Sequence, residues 1–213
     1  MLSVLLRSFV LKVKRSYQIC AVSTDMAKKT AILLLADGAE EMEAVITTDV
    51  LRRAGIQVTI ASITSDGCIK CSRDVKICTD VKLADVKTEK FDAVILPGGL
   101  GGSKALASSP EVGSLLKEQE AKGGVIAAIC AAPTALKSHD VAKGKQITSY
   151  PSFKDELKDD YKYLDEKVVT DGNLITSRGP ATAFAFGLAI VEKLLNKEAA
   201  APVAKAMLYE DYK

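Results

Sequence analysis

The chain has 213 residues, 48% of them hydrophobic and 26% charged, a balance that supports one sizeable core and excludes wholesale disorder. Aromatic residues make up only 5% and tryptophan is absent, which removes the stacking platform that single-stranded nucleic acid needs. The net charge is +2, yet residues 1–26 hold Arg7, Lys12, Lys14 and Arg15 against Asp25 alone, so the rest carries 2 − 3 = −1. Stable binding to nucleic acid or an anionic membrane has no electrostatic basis in so neutral a body.

Residues 1–27 are basic, contain serine and carry no acid before Asp25, the composition of a mitochondrial transit peptide. The alternative is an extension ahead of a second start at Met26, and on either reading the folded domain begins at residue 28. No run of ~18 uncharged apolar residues is present to span a membrane. Residues 30–36 (TAILLLA) predict a central parallel strand covered on both faces. Residues 42–54 predict a helix, with Met42, Val45, Ile46, Val50 and Leu51 at helical spacing, Met42 in the core and Gly55 as the stop. A β-branched strand at 57–62 completes a β-α-β opening. Residues 68–79 predict a hairpin-like excursion turning near Ser72-Arg73-Asp74, and 91–96 a buried strand ended by Pro97-Gly98-Gly99. A helix at 110–122, a strand at 124–129 and a helix at 133–138 follow. Asp171-Gly172 between two short apolar runs signals a hairpin, and helices are expected at 181–196 and 199–206. Alternating strands and helices imply one doubly wound α/β domain, with ligands at the carboxyl ends of its strands.

Residues 123–135 (GGVIAAICAAPTA) end a buried strand at Cys130 and pass through small residues into a helix with Pro133 near its start. Small neighbours permit a sharp turn that projects a side chain above the sheet, as in a nucleophile elbow, although G-x-S-x-G is absent. A helix N-terminus beside the thiol would favour thiolate. The competing reading is a buried structural cysteine. Gly98 and Gly99 close another central strand, where glycine lets backbone N–H groups approach a ligand as an oxyanion hole requires. Residues 96–102 lack the P-loop pattern, and Lys104 stands where a dinucleotide fingerprint needs glycine. Glu40 and Glu41 fit a helix N-terminus, whereas Glu43 could turn inward and share a hydrogen bond with Cys130. Cys68 and Cys71 form a C-x-x-C with Cys78 seven residues on. A metal site would need a second ligand pair, and a redox dithiol would open a helix. Independent surface or interface thiols are the expected reading. The single histidine, His139, lies nine residues beyond Cys130 at the far end of a short helix, too far for a Cys-His pair.

Five motifs in order, at 39–43 (AEEME), 71–74 (CSRD), 96–99 (LPGG), 127–131 (AAICA) and 176–180 (TSRGP), resemble the DJ/PfpI superfamily from about residue 28 to 206. The resemblance implies a flavodoxin-like, doubly wound, mostly parallel sheet sandwiched by helices in a single domain that forms a homodimer. It implies that Cys130 is the oxidation-prone nucleophile and Glu43 a protonated acid beside it. Gly98, Gly99 and Ala131 would bind oxyanion or substrate, and Arg73 would reach the site from the partner subunit. Cys71 and Cys78 match peripheral family cysteines near the dimer interface, as secondary redox thiols, while Cys68 has no counterpart. The family's active-site histidine falls on Tyr150, and a phenol is a poorer proton shuttle than an imidazole near neutral pH. Protease members place histidine directly after the cysteine. Ala131 stands there and argues against proteolysis.

The activity so implied is glyoxalase- or deglycase-like, on methylglyoxal, glyoxal and their adducts with proteins or nucleotides, with no metal or organic cofactor. Oxidation of Cys130 to sulfinic acid implies a redox sensor, and a redox-regulated chaperone is a further alternative. Mitochondrion and cytoplasm are the expected locations, with the nucleus added by resemblance.

Overall fold

The computed structural model describes residues 28–64 and 67–212; the basic extension lies outside them. In chain order the first half comprises β1 (Thr30–Leu35), α1 (Glu41–Arg53), β2 (Gln57–Ser62), β3 (Cys68–Lys70), β4 (Lys76–Cys78), β5 (Val81–Lys82), α2 (Leu83–Val86), β6 (Ala93–Leu96), α3 (Leu100–Ser108) and α4 (Pro110–Ala121). The second half comprises β7 (Val125–Ile129), α5 (Pro133–Ser138), β8 (Gln146–Ile147), α6 (Lys154–Leu157), β9 (Lys162–Tyr163), β10 (Val168–Asp171), β11 (Leu174–Ser177), α7 (Ala183–Leu194) and α8 (Lys197–Ala206).

The main sheet has the order β10-β11-β7-β6-β1-β2-β5, and only the β10–β11 hairpin is antiparallel. Helices cover both faces, so the expected flavodoxin-like sandwich is what forms. The period of two along β1 explains its nearly all-apolar sequence. Leu33 and Leu35 pack among residues of α1, α7 and α8, while Ile32 and Leu34 pack among residues of α3, α4 and α5. From β1 the chain moves to β2 on one side, but β6 and β7 add on the other. The carboxyl ends of β1 and β6 therefore border a topological switch point, where such sheets open a crevice. No described helix is long and apolar enough to cross a membrane.

Several expectations are corrected. Met42 is 51% exposed, not core, as is Val45 at 53%. The buried stripe of α1 is Glu43, Ala44, Thr47, Thr48, Val50 and Leu51, because the helix docks on α7. A Cβ on Gly187 would stand 3.0 Å from Val50, so glycine there sets the approach and the rotation of α1. Residues 100–108, for which the sequence predicts no helix, form the helix α3.

Candidate active site

Three elements meet at the switch point. Cys130 follows β7 directly with φ +64°. A non-glycine residue in the left-handed region costs about 1–3 kcal/mol, so the surrounding bonds must impose it. The Cys130 N–H donates to the Ser177 carbonyl at 2.9 Å, and its own carbonyl accepts from the Tyr150 N–H at 2.8 Å. Fully buried Ala127, Ala128 and Ala132 leave room for the bend. This is the strand-to-helix elbow that the run of small residues predicted.

Glu43 comes from the first turn of α1 and is completely buried. Its Oε2 accepts from the Gly98 N–H at 2.7 Å, while Glu40 Oε2 accepts from the Glu43 N–H at 2.9 Å and caps the helix. Gly98 has no substitute. A Cβ there would lie 2.5 Å from Cys130 Cβ and 2.7 Å from Glu43 Oε2. Its N–H is thus committed to Glu43 and its carbonyl accepts from Glu40 N–H at 3.0 Å, which corrects the expectation that Gly98 binds oxyanion or substrate. Gly99, at φ +86°, and Ala131 instead direct their N–H groups at the Cys130 sulfur. Glu43 Oε2 and the Cys130 Cβ crowd the same space beside Gly98, and each side chain shifts the other's ionisation. The other Glu43 oxygen, Oε1, is buried without a partner of its own.

Burial pushes the Glu43 carboxyl up to about 7, helped by the charge of Glu40 and opposed by the Gly98 N–H and the Cys130 thiol. Burial likewise pushes the Cys130 thiol up to about 12, reinforced by negative Glu43 and opposed by the Gly99 and Ala131 N–H groups. The helix that follows the elbow, α5, is six residues long. Two anions this close do not coexist, so acid and thiol lose their protons in separate steps. Near neutral pH the Glu43 carboxylate is poised to accept the thiol proton.

Above the sulfur lies a cavity of about 630 Å³ lined by Cys130, Ala131, Gly99, Arg73 and Tyr150, among others. Arg73 of this same chain lines it, whereas the resemblance had it reach across from a partner subunit. Its N–H and the Ser72 hydroxyl are held by the Glu41 carboxylate at 2.8 and 2.9 Å. Glu41 was read as a helix-end acid; its longer role is to pin the turn that carries Arg73. Burial works against its charge, but the bonds from Ser72, Arg73 and neighbouring N–H groups win and hold its carboxyl below the usual range. Tyr150 is half-exposed at the cavity wall, and its phenol makes no hydrogen bond among the described residues to the Cys130 side chain.

The remaining cysteines differ from expectation. Cys68 and Cys78 are directly paired across β3 and β4 and form a disulfide, so Cys78 is not a free secondary redox thiol. The two positions are equidistant from Arg73 in the turn, a symmetry available in the sequence. Cys71 is free but buried; burial and then the charges of Glu41, Glu40 and Asp37 push it up to about 11, which disfavours it as a redox thiol. His139 is remote from this chemistry and bonds the Leu106 carbonyl at 2.9 Å. Among the described residues no cluster of histidine, cysteine and acids could hold a metal ion.

A cysteine on a strained elbow at a sheet's switch point, gripped by a buried acid, defines a class of α/β proteins with a cysteine-centred site. The DJ-1/PfpI family profile matches residues 29–193. Protein dj-1beta of Drosophila melanogaster is 59% identical over 181 residues, 84% of this chain and 97% of that protein. Its crystal structure matches with a TM-score of 0.84 at 58% identity, over 85% of this chain and 98% of that one. Protein DJ-1alpha of the same organism is 52% identical over 213 residues, 98% of each chain. A Caenorhabditis elegans protein named glutathione-independent glyoxalase DJR-1.2 is 46% identical over 174 residues, 81% of this chain and 92% of that protein. The chain belongs to the DJ-1/PfpI family.

Proposed function

We propose that the chain is an oxidative-stress protective protein whose Cys130 serves both as a redox sensor and as the nucleophile of a glyoxalase- or deglycase-type activity on methylglyoxal- and glyoxal-derived substrates. The observation that carries this reading is the Glu43 carboxyl locked by the Gly98 N–H against the Cys130 thiol, below a cavity large enough for a small aldehyde. In the first step sulfur attacks the aldehyde carbon and its proton passes to Glu43, giving a hemithioacetal alkoxide. Gly99 and Ala131 N–H groups stand where that negative charge develops. Glu43 returns the proton to the alkoxide oxygen. A proton then moves from the former aldehyde carbon to its ketone neighbour and the hydroxyl proton passes to the former ketone oxygen, which leaves a lactoyl thioester, and water releases lactate and the free thiol. Base and nucleophile within hydrogen-bond reach, with a base near the working pH, suit such proton traffic. The name of the worm relative supports the same chemistry.

The same donors favour the redox role. Two peroxide equivalents convert the thiol to sulfinic acid and two waters, and the sulfinate oxygens find the Gly99 and Ala131 N–H groups and protonated Glu43. Exposed Met42 and Val45 on α1 and Val75 in the hairpin turn supply apolar surface for the homodimer we also propose. The basic extension fits a mitochondrial pool beside a cytoplasmic one. The test compares wild type, Cys130→Ala and Glu43→Gln for lactate release from methylglyoxal and for intact mass after graded peroxide. Loss of both responses in Cys130→Ala supports the assignment. Methylglyoxal turnover that survives in Cys130→Ala refutes the enzymatic part.

A further inference from the structure

At the opposite edge of the sheet, the amino ends of the central strands open on a second cavity of about 470 Å³. Lys29 stands just before β1, Lys90 shortly before β6, Lys122 between α4 and β7, and Lys193 in the last turn of α7, and all four line it. One acid, Asp92, lies among them. Its carboxylate is already held by the Lys29 ammonium at 2.8 Å and the Thr30 N–H at 2.9 Å. Among the described residues, Lys90, Lys122 and Lys193 have no carboxylate at ion-pair distance, so their charges stay uncompensated by a direct partner.

The lining side chains sum to 4 − 1 = +3. The carboxyl ends of α4 and α7 border the cavity and each offsets about half a charge, which leaves roughly +2. Complementarity to those helix ends accounts for Lys122 and Lys193 singly. It does not account for Lys90, nor for the convergence of all three on one concavity.

The walls are fixed in advance. Fully buried Gln119 donates its amide to the Phe91, Asp92 and Val125 carbonyls at 3.3, 3.1 and 3.0 Å, tying the entry of β6 to that of β7. The Asn173 amide donates to the Gly123 carbonyl and joins the β10–β11 turn to the same frame. A rigid concave surface of one sign concentrates field and counter-charge.

We propose that this cleft binds a small, soluble, multiply charged phosphate anion through Lys90, Lys122 and Lys193. It stands apart from the Cys130 cavity and does not depend on the activity assigned there. The probe is inorganic tripolyphosphate, titrated calorimetrically into the full chain. One-to-one binding is expected, weakened by about tenfold or more in the triple variant Lys90→Ala/Lys122→Ala/Lys193→Ala and weakened by added salt in wild type. Cys130→Ala and Lys154→Ala should bind as wild type does. The Gly123, Gly124 and Asn173 amide resonances should shift on titration. No binding by wild type at millimolar probe, or equal binding by the triple variant, overturns the proposal. So does equally strong, triple-variant-sensitive binding to phosphatidylserine vesicles, which would assign the lysines to a membrane surface instead.

Discussion

Glu43→Gln separates the electrostatic role of the buried acid from its steric one. The amide keeps an oxygen for the Gly98 N–H and nearly the same volume, but it does not titrate. In the folded chain burial raises Glu43 from 4.5 to about 7, so the native state holds this proton where the unfolded state has released it. A raised folded value means that the stability associated with the bound proton is full below the unfolded value and is lost as pH rises through about 7. Across pH 5 to 8 this linkage removes about 2–3 kcal/mol from wild type. The raised thiols add little in that window, because an unfolded thiol ionises mainly above it and both are pushed higher still in the folded chain. The lowered acids Glu41 and Asp92 act on the acid side, since their contribution is present above the unfolded carboxylate range and is lost as pH falls through their folded values. Guanidinium unfolding followed by circular dichroism at pH 5 and pH 8 therefore reads Glu43 against a quiet background. Wild type should lose stability between the two, and Glu43→Gln should lose at least about 2 kcal/mol less. Parallel pH dependence in the two proteins would refute the claim that Glu43 holds its proton up to neutrality.

Three further outcomes are expected. Gly98→Ala should cost roughly 1–3 kcal/mol of stability by overpacking and abolish methylglyoxal turnover, since the new methyl strikes both Cys130 and Glu43; a variant with full activity would show that the two side chains can part. Peptide mapping after limiting peroxide should find sulfinic acid at Cys130 before any modification of Cys71, because only Cys130 opens on the cavity and meets two N–H donors; early oxidation of Cys71 would reverse that order. Tyr150→His should raise methylglyoxal turnover several-fold, within the ~10²–10⁴ that a placed acid–base group can contribute, with peroxide sensitivity of Cys130 little changed; unchanged turnover would mean that position 150 does not limit proton transfer.

The legible parts of the sequence were those where local pattern and tertiary demand coincide. The apolar runs of β1, β6 and β7, each ended by a small or turn-forming residue, declared a buried parallel sheet, and the alanines around Cys130 declared the elbow. Period without phase misled at α1. Five apolar residues at helical spacing placed Met42 inward, yet contact with α7 rotates the helix so that an acid occupies the interior. Glu43 lies where polarity alone would not put it; its place two residues into the helix after β1 allowed the inward turn, and the motif as a whole pointed the same way. The helix α3 was hidden by Gly101 and Gly102 in its first turn. Those glycines are there for contact, since a Cβ on Gly102 would stand 2.7 Å from the Ala39 Cα. The helix start beside Cys130 is visible in the sequence, while the burial of its sulfur against Glu43 and Gly98 depends on neighbours brought in from elsewhere in the fold.

The carboxylate of Glu41 joins two parts of the molecule with different audiences. On one side it belongs to α1, beside Met42 and Val45, which face outward; on the other it grips the turn of Ser72, Arg73 and Val75, whose arginine faces the cavity. A second protein surface pressed against Met42, Val45 and Val75 would therefore lie beside the same strut that fixes the backbone of Arg73 at the cavity wall. Glu41 is thus a single carboxylate that ties the outer face of α1 to one wall of the cavity.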